Sequence, residues 1–125
     1  MNKIDLKPIV YQLLTQVKEI KKVATDYPSN WTSFPSAIYR TSSQPKEIDS
    51  QKKELQTTWM ITIELYGNTS LTALTSLVIE KFNSIGFTGT SKDANTADMH
   101  RVIVELTGVV DNVTKYVYKK MKIWR

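Results

Sequence analysis

The residues best suited to do chemistry in this chain are few. There is one histidine, His100, and no cysteine, so thiol nucleophiles and zinc–thiolate centres are excluded. A serine–histidine–acid triad would have to recruit His100, yet no G-x-S-x-G elbow accompanies it. The simpler reading is a histidine at the end of a strand. Asp93, Asp98 and His100 offer oxygen and nitrogen ligands within one polar stretch, a grouping common by chance, and no metal is expected there. Gly86 and Gly89 do not make a phosphate cradle. No Lys-Ser/Thr signature follows them, and a helix precedes a loop where a strand should precede a helix. Glu54 and Glu64 fall on one strand, roughly 30 Å apart at the rise of extended chain, too far for a carboxylate pair to cooperate. No catalytic residue and no cofactor is nominated, and a protein without enzymatic activity is expected.

The remaining chemical signal is electrostatic. The formal charge is +5, and it is concentrated: Lys115, Lys119, Lys120, Lys122 and Arg125 occur in the last eleven residues with no acid among them. The rest of the chain is balanced. Tyr116, Tyr118 and Trp124 interleave with those cations, the arrangement single-stranded nucleic acid binders use for stacking. The same pattern also describes an edge strand guarded by charge or a tail that docks on a partner with Trp124 as anchor. A small nucleic-acid-binding module using this segment is therefore the alternative function.

These residues must be held by a fold. A chain of 125 residues with 41% hydrophobic and 23% charged content has the size and composition of one globular domain. Lys, Gln and Glu interrupt its apolar stretches, so neither a secretory h-region nor a membrane span is expected. Ile9, Leu13, Leu14, Val17 and Ile20 recur at helical spacing over Asp5 to Val23, with Asp5 as N-cap and Pro8 in the first turn. The turn-rich Asp26 to Asn30 ends that helix. A short strand is expected at Ser36 to Ser42, closed by Pro45. A clearer one follows, in which Leu55, Trp59, Ile61, Ile63 and Leu65 alternate with polar residues including Glu64. Gly67 to Ser70 introduces a second helix, with Leu71, Leu74, Leu77, Val78, Phe82 and Ile85 as its stripe and Gly86 as its left-handed terminus. Phe87 to Met99 reads as a polar loop. Met99 to Val110 and Val113 to Lys119 form a closing hairpin around Asp111-Asn112. The expected fold is α+β, a single antiparallel sheet of about four strands with two helices on one face, in the order α-β-β-α-β-β.

Taken together, five segments resemble the tail terminator (tail completion, head-tail joining) proteins of long-tailed bacteriophages. They are DLKPIVYQLL (5–14), PSAIYRTSS (35–43), TTWMITIELYG (57–67), TSLTALTSLVIEKFNSIGF (69–87) and MHRVIVELTGVVDNVTKYVYKK (99–120). The resemblance covers residues 4 to 120 and rests on element order and the tyrosine-containing closing hairpin, since the family has no catalytic signature. It implies a structural virion protein, assembled in the host cytoplasm into a ring, typically hexameric, at the head-proximal end of the tail tube. Such a ring ends tube growth and meets the tube protein on one side and the head connector on the other. Genomic DNA passes its lumen without specific binding, and no membrane is involved. MKIWR at the end departs from the pattern.

An open sheet has two unpaired edges, and a neighbouring copy is the natural cover for them. Partner contacts are accordingly expected in the Gln44 to Lys53 loop (Lys46, Lys52, Lys53), in the Phe87 to Met99 loop (Lys92, Asp93), at Tyr66 on the polar face of its strand beside Met60, and at Tyr116, Tyr118 and Trp124.

Overall fold

The computed structural model describes residues 4–28, 31–51, 54–114 and 117–118. Helix α1 (Lys7–Thr15) begins where Asp5 Oδ1 accepts the Lys7 backbone N–H at 3.0 Å, so Asp5 caps from just outside the helix while Pro8 occupies its first turn. The helix is shorter than its apolar spacing predicts. After Thr15 the chain continues through two tighter turns, Val17 N–H to Leu14 O and Ile20 N–H to Val17 O. Both apolar side chains are still buried, because those turns keep them on the inner side. Leu6, Val10 and Leu14 carry the helix's burial, whereas Ile9 is exposed.

The sheet overturns the expected topology. Its strands run β1 (Lys22–Ala24), β2 (Ser36–Ile48), β3 (Glu54–Gly67), β5 (His100–Asp111) and β4 (Thr88–Asp93) across the sheet, and the two-residue β6 (Val117–Tyr118) pairs with β5 beyond β4. Helix α2 (Thr72–Asn83) stands between β3 and β4 in sequence. The order therefore begins α-β-β-β-α-β-β and the sheet is mixed, because β1 lies parallel to β2 while the remaining pairs are antiparallel. It is not a four-stranded antiparallel sheet in the order α-β-β-α-β-β.

Three local causes account for the difference. Lys21 N–H donates to Pro35 O at 2.8 Å, which draws Lys22–Ala24 out of the helical region and onto β2. Pro45 does not end β2. It sits opposite Thr57 at a register irregularity, on the side of the sheet where its missing N–H deprives no described strand of a partner. Residues 88–93 form a strand despite having no apolar alternation, because β5 offers them a free edge and they bury nothing of their own.

Both helices pack on one face of the sheet. Val10 and Leu14 of α1 and Leu74, Val78 and Phe82 of α2 meet Tyr39, Ile61, Ile63, Leu65, Val104 and Leu106 in a single core. Leu77, read as part of the α2 stripe, is instead exposed. Helix α2 ends as its glycine predicts: Gly86 has φ 95°, and Phe87 N–H reaches back to Phe82 O at 3.0 Å. Phe87 then turns inward and lies where a side chain on Gly108 would be, 2.8 Å from an ideal Cβ there. At the far end of β5, Asp111 Oδ1 accepts the backbone N–H groups of Val113 and Thr114, which hold its carboxyl below the usual range. Asn112 is fully buried and ties three segments together. Its Oδ1 accepts Ile4 N–H, and its Nδ2 donates to Glu54 O and Thr57 Oγ1.

Candidate assembly surface

The alternation of β3 sends Ile61, Ile63 and Leu65 toward the helices and Met60, Thr62, Glu64 and Tyr66 to the opposite, outer face. Part of that face is covered. The segment between β1 and β2 folds across it, setting the Trp31 ring against Tyr66 with centroids 4.6 Å apart and planes tilted by 35°, and Tyr27 edge-on to Tyr66 at 6.1 Å. Glu64, which the strand pattern places among solvent-facing residues, is left only 5% exposed beneath it.

Glu64 is ionised because its neighbours supply donors to both oxygens. Tyr66, two residues along the same face, donates to Oε1 at 2.7 Å. Tyr27 Oη reaches both oxygens at 2.9 and 3.0 Å. Arg40 donates Nη1 to Oε2 at 2.6 Å, and Arg101 donates Nη2 and Nε to Oε1 at 2.5 and 3.1 Å. The arginines sit diagonally across the neighbouring strands, a separation long side chains span. Burial alone pushes the carboxyl up, but the donors from Tyr66, Arg101, Tyr27 and Arg40 outweigh it and hold it at about 2. Burial, and then the bond to Glu64, push the Tyr66 hydroxyl up. A carboxylate saturated in this way has no lone pair positioned to take a proton from a substrate. Its arrangement clamps the crossing segment to three strands.

Beside α2, a cavity of about 390 Å³ is lined by Thr72, Thr75, Ser91, Asp93 and His100. His100 is half-buried at the start of β5, as its strand-end position predicts. Among the described residues, no group of three or more His, Asp or Glu side chains is placed to hold a metal ion, and no described helix is long and apolar enough to cross a membrane.

Among the described residues, the sheet's two edges have no further strand beside them. On one side, β1 covers only Ser36, Ala37 and Ile38 of β2, so from Tyr39 onward that edge has no neighbouring strand among the described residues. On the other side, β4 pairs with β5 along one edge, and all six of its residues are exposed. The expected contact residues distribute unevenly over these edges. Lys92 and Asp93 lie on β4, in a strand and not in the predicted loop. Lys46 is exposed on β2, in the stretch read as a loop that is strand as far as Ile48. Tyr66 is 6% exposed and occupied by Glu64, Tyr27 and Trp31, so it is not a surface residue; of the two apolar residues expected there, only Met60 is exposed. Tyr118 belongs to β6, and Lys52, Lys53, Tyr116 and Trp124 lie outside the described residues.

No protein-family model matches the sequence, and comparison with curated proteins finds no match.

Proposed function

We propose that the protein is a structural subunit that assembles with copies of itself into a ring at the head-proximal end of a long-tailed phage tail, most simply a hexamer. There it ends growth of the tail tube and joins the tube to the head connector, while genomic DNA passes through the lumen without specific binding. The observation that supports this reading is that, among the described residues, no strand continues the sheet beyond β4 or beyond the part of β2 that β1 leaves uncovered, and a sheet that can be continued on both sides is what a ring subunit needs. The five segments that resemble tail terminators add the specific role. Four of them fall on α1, β2, β3 and α2, and the fifth begins with β5. The near balance of charge outside the last eleven residues lets like subunits approach without strong repulsion and gives DNA no dense patch to bind.

The test is complementation of headless tails assembled without the protein. Added in purified form, it should bind one end of each tube, fix tube length and make the tails competent to join heads. Tubes that keep growing and stay unable to join heads in its presence would overturn the proposal.

A further inference from the structure

We propose that the basic, tryptophan-bearing segment 119–125 of one copy docks into the groove beside α2 of the next, with Trp124 on the groove's apolar floor and its flanking cations at the carboxylates of Asp93 and Asp98. This rests on the ring reading and names the contact that would link its subunits.

The groove lies between the first two turns of α2 and the strands β4 and β5. Its cavity of about 390 Å³ adjoins a second of about 250 Å³, and His100 and Asn95 line both. Leu71, Thr75 and Val102 are buried and form the floor of the first. Because Thr75 Oγ1 already donates to Leu71 O at 2.7 Å, this floor calls for an apolar side chain.

The rim is acidic. Apart from His100, the ionisable side chains lining the two cavities are Asp93 and Asp98, both exposed. Lys92 does not offset them, because it lies opposite Ile103 and so on the outer face, whereas Asp93 lies opposite Val102 on the helix side. An apolar floor under an acidic rim fits a segment that carries an aromatic anchor among cations. Residues 119–125, KKMKIWR, have that composition: Lys119, Lys120, Lys122 and Arg125 occur with no acid, and Lys122 and Arg125 bracket Trp124.

Chain length makes the docking intermolecular. Tyr118, the last described residue, pairs with Val109, while Val102 and His100 lie seven and nine residues further along β5, roughly 23–30 Å away. Trp124 follows Tyr118 by six residues, which span at most about 20–22 Å when fully extended. The direct path is also taken, since β4 occupies the same edge of β5 from Thr107 onward. Each copy therefore carries its groove and the start of its basic segment at opposite ends of β5. Joining one to the other between copies is a head-to-tail contact, the kind that closes into rings.

The absence of cysteine permits a directed cross-link. One full chain carries Ser76→Cys on the groove wall and another carries Arg125→Cys; mixed and oxidised under conditions where the protein assembles, they should form a reducible heterodimer. Both substitutions in one chain should give a ladder of reducible multimers. Ser84→Cys, at the other end of α2, should not link to Arg125→Cys. Separately, Trp124→Ala should raise the concentration needed for assembly about tenfold while leaving the circular dichroism of the chain unchanged, and Asp93→Lys should raise it as well. An internal bond that leaves the double-cysteine chain monomeric would show the groove filled by its own chain and overturn the docking between copies. If the Ser76 pair does not link while amine cross-linking shows oligomers, or if Trp124→Ala assembles as the wild type does, the ring reading survives and this docking is wrong. If no multimer forms either in solution or on tail tubes, both readings fail.

Discussion

Replacing Glu64 with glutamine keeps the shape of the outer-face clamp and removes its charge. Arg40 and Arg101 would then converge on a neutral amide, and Tyr27 and Tyr66 would exchange a charge-assisted bond for a weaker one. A carboxyl held at about 2 against an ordinary 4.5 corresponds to roughly 3 kcal/mol favouring the folded state at neutral pH. Removing one member of a buried pair costs about 3–5 kcal/mol, but Arg40 and Arg101 keep 45% and 27% of their side-chain surface in water and can rehydrate. We therefore expect Glu64→Gln to destabilise by about 2–3 kcal/mol at pH 7, or roughly 8–12 °C in Tm for a chain of this length. The sign of the pH dependence follows. The folded carboxyl is more acidic than the unfolded one, so its contribution is complete above about pH 4.5 and is lost as pH falls toward 2. Denaturant unfolding of both proteins between pH 7 and pH 2 should show the wild-type advantage shrinking through that window and vanishing at its lower end. A variant within about 0.5 kcal/mol of wild type at pH 7, or a gap that persists unchanged at pH 2, would refute the clamp.

Other perturbations have equally direct readouts. Asn112→Ala removes the partner of Ile4 N–H, Glu54 O and Thr57 Oγ1 at a fully buried position, and should cost about 2–3 kcal/mol by chemical denaturation. Gly108→Ala places a methyl group 2.8 Å from the Phe87 ring, so it should destabilise by about 1–3 kcal/mol, and Phe87→Leu in the same chain should recover part of that. Phe82→Ala empties a fully buried site in the α2 stripe and should cost about 3–5 kcal/mol. His100→Ala, at a half-buried strand end, should leave tail complementation intact.

Much of the helix-backed core was legible because its signal is periodic. Trp59, Ile61, Ile63 and Leu65 alternate as a half-buried strand must, and Leu74, Val78 and Phe82 recur as one helical face must. What escaped had no periodic signature. Residues 88–93 are exposed at every position, so no alternation marks them, and their strand exists only because β5 presents an edge. Lys22–Ala24 is three residues long and continues an apolar spacing that began in α1, so its departure to β2 is decided by the tertiary bond from Lys21 to Pro35. Pro45 reads as a terminator until it is known to lie on a strand without an outer neighbour.

The cover over the outer face of the sheet was not legible. Two unpaired edges follow from any open sheet, and Lys92 and Asp93 were placed among contact residues for that reason. Alternation assigns Tyr66 to solvent, whereas the structure buries it. The aromatic run Tyr27, Trp31 and Phe34 in the preceding segment was the one available sign that something would cover it. The same cover turns Glu64 from a surface acid into a buried anchor, with Arg40 and Arg101 two strands apart as its counter-charges.

Location in the particle bears most directly on the central claim that this chain is a structural part of a phage tail. Gold-labelled antibody against the protein, applied to intact tails and viewed by electron microscopy, should mark one site per tail, at the end that meets the head. Label spread along the tube, label at the distal tip, or particles that carry none of the protein would contradict it.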